Sequence, residues 1–310
     1  MSGGGPEVAG PPDEELLVIA GPTASGKSAL ALEVAEREGG EIVSADSQQI
    51  YRHFDIGTAK PGAEAMRRVR HHLVSEVEPR EQVNAGRFRE LAEAAIVEIR
   101  ARGRWPIVVG GTGLYLRILL HGVMPGPGAS AEIRARLKRE AAELGREALH
   151  RRLAAVDPES AARILPRDLV RVERALEIYQ LTGAPASASR RAHGFREERH
   201  RFRMYVLDPP KEALRAAIEA RTRAMFEGGL LDEVRTLLAR GFREAPPMRS
   251  VGYVQALAAV EGRMSVEEAI ADAALKTRRY AKRQLTWFRK EPGATFIRPP
   301  YPELRRRPRP

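Results

Sequence analysis

Residues 21–28 read Gly21-Pro22-Thr23-Ala24-Ser25-Gly26-Lys27-Ser28, between an apolar run of strand length, Leu16 to Ala20, and a stretch whose Leu30, Leu32, Val34 and Ala35 suit a helix. Two glycines, a lysine and a serine at this spacing form a phosphate-binding loop when a strand precedes them and a helix follows. The glycines let the backbone turn its amides toward phosphate oxygens, Lys27 adds a point charge, and the Ser28 hydroxyl can ligand Mg²⁺. The motif identifies phosphate and leaves the reaction open.

The same alternation continues outward. Gly39-Gly40 suit the end of the first helix, and Glu41 to Ala45 is a second strand that ends in Asp46. Asn84 can cap a helix whose Phe88, Leu91, Ala95 and Ile99 fall at helical spacing and which ends at Gly103. Pro106 to Val109 is a third strand, leading into Gly110-Gly111-Thr112-Gly113 and another helix. Three rounds of strand, glycine turn and helix predict an α/β fold: a P-loop NTPase-like parallel sheet flanked by helices. After Gly122 the pattern changes. Met124-Pro125-Gly126-Pro127-Gly128 is a break, and the stretch to about Gly194 is helical and arginine-dense, which predicts an all-helical insertion domain. Phe202 to Leu207 returns as a strand. Two long helices follow, Lys211 to Arg240 and Ser265 to Lys290, the second opened by a Ser265–Glu268 capping box. The expected organisation is a disordered leader over 1–13, a core domain over 14–122 plus 201–295, a helical insertion over 123–200 and a basic tail over 296–310.

Composition bounds the function classes. At 310 residues, 30% charged and 43% hydrophobic, the chain has enough material for a buried core, which excludes a peptide hormone or a disordered tail. Zero cysteines remove disulfide scaffolds, thiolate nucleophiles and cysteine zinc sites. No apolar run reaches the ~18 residues of a membrane span, and Met1 to Pro12 has neither a basic n-region nor an apolar h-region. The expectation is a cytoplasmic protein with no membrane partner, and nothing demands more than a monomer. The formal charge is +11, and its location matters more than its size. Lys276 to Pro310 carries twelve Lys or Arg against Glu291 and Glu303, and Ala131 to Met204 carries seventeen against eleven acids. Such segregation suggests a polyanion partner, with arginine-rich coding bias or heat adaptation as the bland alternative.

Three single residues stand out. Asp46 ends the second strand, where ligands dock on open parallel sheets. It could serve as a general base, a Mg²⁺ ligand or a helix cap, and taken alone an Asp-Ser pair is more often a cap. Thr112, in the glycine turn after the third strand, is divided between turn chemistry and ligand contact. Leu214, Ile218, Arg221 and Met225 are spaced 4, 3 and 4 apart, so Arg221 sits in an apolar stripe. A guanidinium turned inward needs an anion, whereas one whose head snorkels to water does not. The helix from Ser265 sets Lys276, Arg278, Arg279, Lys282, Arg283 and Arg289 among Tyr280, Trp287 and Phe288. That mixture suits phosphate contact and base stacking on RNA, or a solvated basic face over an ordinary apolar stripe.

Taken together the motifs resemble a known family. Gly21 to Ser28, Ser44-Ala45-Asp46-Ser47-Gln48-Gln49-Ile50-Tyr51, Asp55 to Pro61, Gly110 to Tyr115, Arg174 to Tyr179, Gly252-Tyr253-Val254-Gln255 and Lys282 to Arg289 are similar, in this order, to motifs of the bacterial tRNA dimethylallyltransferases (tRNA isopentenyltransferases, the IPP transferase family). The likeness spans Leu16 to Arg289. It implies an enzyme that moves a five-carbon prenyl group from dimethylallyl diphosphate to the exocyclic amine of the adenosine 3′ of the tRNA anticodon. The implied site has Asp46 as general base, Thr112 near the reacting centre, and Arg221 on the diphosphate. Gly21, Pro22, Thr23, Ala24, Ser25, Gly26, Lys27 and Ser28 would cradle that group, with Mg²⁺ as cofactor on Ser28. Contacts to the tRNA anticodon stem-loop map by resemblance onto Asp46, Ser47, Gln48, Gln49, Thr112, Arg134, Arg171, Arg174, Arg249, Gly252, Tyr253, Lys282, Arg283, Thr286 and Arg289. Eukaryotic relatives often append a cysteine and histidine zinc finger, which a chain without cysteine cannot form.

Two enzymatic rivals share the loop, and a third class is a nonenzymatic RNA-binding NTPase, for which Asp46 and Thr112 would be structural. A small-molecule kinase using ATP would explain Gly21 to Ser28 and Arg221 but leave the insertion and the Lys282–Arg289 motif without a purpose. Prenyl transfer to a free adenine nucleotide is closer, and the insertion and basic C-terminal segment favour tRNA over it.

Overall fold

The apolar run before the phosphate loop is a strand, β1 (Leu16–Ala20), buried at every position. Strand side chains alternate between faces, so a strand apolar throughout requires a sheet covered on both sides. Leu16, Val18 and Ala20 enter one core and Leu17 and Ile19 another. The computed structural model describes residues 15–122, 126–193 and 199–306, and the expected leader over 1–13 lies outside them.

The first elements are α1 (Lys27–Glu38), β2 (Gly40–Ser44), α2 (Ala63–Arg68), β3 (His71–His72), α3 (Ala85–Ala101), β4 (Trp105–Gly110) and α4 (Gly113–His121). Next come α5 (Ala131–Leu144), α6 (Arg146–Val156), α7 (Pro158–Arg163), α8 (Leu169–Thr182) and α9 (Ala186–His193). The chain ends with β5 (Phe202–Leu207), α10 (Lys211–Met225), α11 (Leu231–Ala239), α12 (Tyr253–Val260), α13 (Val266–Phe288) and β6 (Ala294–Ile297). The six strands are parallel in the order β3-β2-β4-β1-β5-β6. From β1 the chain runs outward past the place that β4 later fills, then crosses to the other side for β5. The C-terminal end of β1 is therefore a switch point, where open parallel sheets bind ligands.

One core lies under α3, α4, α12 and α13, with Phe88, Ile96, Leu116, Tyr253 and Ala273 fully or almost fully buried. The other lies under α1, with Ala31, Val34 and Trp105. Local signals behave as their chemistry predicts. Asn84 accepts from Arg87 N at 2.9 Å, and Ser265 and Glu268 exchange the bonds of a capping box.

Contacts divide the chain into two compact units, Met1–Leu120 with Arg199–Pro310, and His121–Glu198. The second contains α5 to α9 around Leu137, Leu149, Leu153, Val172 and Leu176. Among the described residues no helix is long and apolar enough to cross a membrane.

Three expectations change. The single helix over 211–240 is broken: α10 ends at Met225, a π turn occupies Phe226–Leu230, and Gly229 there has φ 99°, a conformation glycine alone adopts cheaply. Strands β3 and β6 carry no sequence signal, since one is two residues long and the other starts on a turn. Residues 296–306 are not a loose basic tail, and the rest of that expected tail lies outside the described residues. β6 pairs with β5, Leu304 is 3% exposed in the α1 core, its carbonyl accepts from Arg37, and Arg306 N donates to Glu38 at 3.1 Å. Apolar residues among the arginines thus decide this segment's fate.

Candidate active site

Gly26 caps α1 with φ 87°, so the chain turns sharply from loop into helix without strain. The first turn of α1 holds no acidic residue, and the positive end of its dipole faces an incoming anion unopposed. Two side chains from elsewhere hold the loop's backbone. Gln284 on α13 accepts from Thr23 N and donates to Gly111 O, each at 2.9 Å, and the Tyr301 hydroxyl donates to Ser25 O at 3.1 Å.

A cleft opens above the loop and gathers Thr23, Lys27, Ser28, Asp46, Gln49 and Arg221. The Lys27 ammonium donates across the loop to Pro22 O at 3.2 Å. Its withdrawal from water lowers its pKa to about 8; the Asp46 carboxylate opposes that shift and the Arg221 guanidinium adds to it. Burial also lowers the pKa of Arg221, again against Asp46, and this guanidinium donates to Thr23 Oγ1. Of the two readings of Arg221, the inward one holds. Two cations held partly out of water make a strong site for a polyanionic group.

Asp46 caps a turn and not a helix, since residues 47–50 form turns and the next helix starts at Ala63, and one of its oxygens remains free. Its Oδ1 accepts from Gln48 N at 2.8 Å and Gln49 N at 3.3 Å, and among the described residues no hydrogen bond ties its other oxygen. Thr112 Oγ1 accepts from Ser47 N at 3.2 Å, so the turn after β4 braces the turn after β2. Gln48 bonds Ser47 Oγ, and Gln49 joins Ser44 to the carbonyls of Thr58 and Ala59.

Glu233 on α11 carries no local sequence signal yet organises the stretch after Phe54. It accepts from the amides of Asp55, Ile56 and Gly57 and from the Tyr253 hydroxyl. A Cβ on Gly57 would stand 2.5 Å from the Tyr253 ring. Tyr253 is fully buried, and Gly252 is buried with its amide on Gln255 Oε1 at 2.9 Å. The expectation that the Tyr253 side chain meets tRNA is corrected: its ring is shut away from the surface and packs against the loop instead.

Lys282, Arg283, Thr286 and Arg289 share the exposed face of α13, opposite buried Ala281, Gln284 and Phe288. Arg249 is exposed and paired with Glu244 at 2.9 Å. In the second unit Arg134 and Arg174 bind the buried carboxylate of Glu177 at 3.0 and 2.6 Å, and Arg174 also donates to Pro127 O at 2.8 Å. Burial is offset by these bonds, which together hold the Glu177 pKa low. Arg171 is exposed, 3.4 Å from Asp168.

A model of the IPP transferase family matches residues 49–291. The tRNA dimethylallyltransferase of Myxococcus xanthus (strain DK1622) is 65% identical over 286 residues, covering 92% of this chain and 93% of that protein. That of Anaeromyxobacter sp. (strain Fw109-5) is 54% identical, covering 92% and 95%. Among solved structures, a full-length tRNA isopentenylpyrophosphate transferase from Bacillus halodurans is 39% identical with TM-score 0.68, over 92% of this chain and 90% of that one. A eukaryotic dimethylallyltransferase acting on tRNA is 27% identical with TM-score 0.76, over 92% of this chain and 74% of that one.

The Lys27 shift yields a signed prediction. Above about pH 8 the free protein loses the Lys27 proton, whereas a bound diphosphate retains it. Diphosphate affinity should therefore weaken as pH rises through 8, by up to about tenfold per unit. Inorganic diphosphate titrated by calorimetry from pH 7 to 9.5 should show that loss in wild type relative to Lys27→Arg. Parallel profiles would mean that Lys27 stays charged throughout.

Proposed function

The chain belongs to the IPP transferase family and transfers a dimethylallyl group to tRNA, and we propose that it takes the group from dimethylallyl diphosphate and delivers it to the exocyclic amine of the adenosine 3′ of the anticodon. One observation supports this most: two partly buried cations, an anion-binding helix start and a carboxylate with one uncommitted oxygen border a single cleft.

Negative charge grows on the diphosphate as the allylic carbon–oxygen bond breaks. Loop amides, Lys27 and Arg221 are held in advance where that charge develops, so little reorganisation is needed. The acceptor amine is a weak nucleophile because its lone pair is delocalised into the purine. In the proposed step the nitrogen lone pair forms the new C–N bond, the C–O pair leaves with the diphosphate, and the N–H proton passes to Asp46. General-base help of this kind contributes about 10²–10⁴-fold. Thr112 already accepts from Ser47 N, which leaves its hydroxyl proton to donate toward the reacting groups.

Mg²⁺ fits the donor chemistry. Among the described residues no group of three or more His, Cys, Asp or Glu could hold a metal, so the protein offers chiefly the Ser28 hydroxyl. A small cation that keeps its waters and binds mainly to phosphate oxygens suits such a site. When bound it would neutralise charge on the diphosphate.

The acceptor adenosine must leave the anticodon-loop stack to reach Asp46, which costs a few kcal/mol. Phosphate contacts from Lys282, Arg283 and Arg289 can offset that cost, with Arg249 and, in the second unit, the exposed edges of Arg134, Arg171 and Arg174. We assign the enzyme to the cytoplasm, where its substrate is.

Protein, Mg²⁺ and labelled dimethylallyl diphosphate should label an anticodon stem-loop with adenosine 3′ of the anticodon and leave AMP unlabelled. Label on AMP alone would establish the free-nucleotide reading, and phosphoryl transfer from ATP the kinase. Asp46→Asn preserves an Oδ1 for the two amides it caps, so it separates base from cap. Turnover should fall at least 100-fold with stem-loop affinity near normal; an unchanged rate restricts Asp46 to the cap. Replacing Lys282 and Arg289 with Ala should flatten the salt dependence of stem-loop binding by about 0.7 log–log units per lost contact. An unaltered slope would turn this face to solvent.

A further inference from the structure

Tyr280 borders the same cleft as Asp46 and Arg221 and keeps 37% of its surface exposed. Gln284 stands one turn further along α13, on the same helix face, and its two 2.9 Å bonds fix that turn against the loop and the Gly111 carbonyl. The rigid anchor at Gln284 sets the ring at the cleft rim. The Arg283 guanidinium lies 5.6 Å from the ring centroid, where cation–π attraction restrains it. Burial and the Asp46 charge push the Tyr280 hydroxyl up to about 12, against Arg283, so the phenol remains neutral. A flat, neutral, oriented aromatic face that is neither core nor ion pair suits a planar partner.

We propose that Tyr280 is a substrate-contacting residue whose ring stacks on the acceptor purine after the base has left the anticodon-loop stack, holding the exocyclic amine toward Asp46. The inference rests on the reading of the cleft as the site of transfer to a tRNA adenosine. In that reading the diphosphate falls to a different group of cleft residues, Thr23, Lys27, Ser28 and Arg221. Loss of the ring should therefore weaken the acceptor and spare the donor. Removing an aromatic platform costs about tenfold or more in binding per stacked base.

The test compares Tyr280→Ala, Tyr280→Leu and Tyr280→Phe with wild type on the anticodon stem-loop. Leu fills much of the ring's volume without a π face, and Phe keeps the face without the hydroxyl. KM for the stem-loop should rise about tenfold or more in the Ala and Leu variants, with KM for dimethylallyl diphosphate unchanged, and Phe should stay within about threefold of wild type. A stem-loop carrying 2-aminopurine at the acceptor position should remain quenched on wild type and the Phe variant and brighten on the Ala variant. If wild type labels the stem-loop while the Ala and Leu variants match it in KM and emission, the stacking role is overturned and the functional reading survives. If Phe fails as Ala does, the hydroxyl and not the ring makes the contact, which also overturns it. A wild type that labels no stem-loop overturns the functional reading itself.

Discussion

The carboxamide of Gln284 accepts from the Thr23 amide and donates to the Gly111 carbonyl, so one buried side chain on α13 joins the loop after β1 to the turn after β4. A buried amide must find partners at both ends or lose the full cost of its desolvation. With both ends satisfied, the bond lengths fix where the phosphate loop stands relative to the Thr112 turn. Thr112 in turn receives Ser47 N, and Asp46 caps the residues that follow. The positions of the two cations and the carboxylate therefore descend from a residue that carries no charge and takes no part in bond making.

A second brace works in the same way. Glu233 gathers three backbone amides of the 55–57 stretch and the Tyr253 hydroxyl, while Gly57 allows the ring to lie against the chain. Burial, followed by the adjacent Glu233 charge, pushes the Tyr253 hydroxyl pKa up, which keeps it a donor. The Gly252-Tyr253 pair thus serves the site through packing. A motif can be tied to a function without any of its side chains touching the substrate.

Charge shows the limit of counting. The +11 excess pointed to a polyanion, and much of the arginine content is committed to internal pairs. Arg134 and Arg174 share Glu177, Arg102 and His72 share Glu41, and Arg203 binds Glu15. On α13 Lys282, Arg283 and Arg289 are exposed and Arg283 lies over the Tyr280 ring, so a small part of the excess marks the face best suited to RNA.

Periodicity and glycine placement were enough to indicate the α/β class, the phosphate loop, the helical insertion and the cap at Asn84, because the strand, turn and helix patterns that signal them are local, whereas the pairing of β1 with β4 and β5 joins residues far apart in the chain. Asp46, Thr112 and Arg221 were legible as candidates, each with a bland alternative that local sequence could not dismiss. Tertiary structure decided their surroundings. It turned Arg221 inward, left one Asp46 oxygen uncommitted, buried Tyr253, broke the helix at Gly229 and drew Leu304 into the core beneath α1. The Gln284 and Glu233 braces were invisible in sequence because their partners lie 261 and about 177 residues away, and local pattern cannot encode a hydrogen bond whose two ends meet only after the sheet has formed.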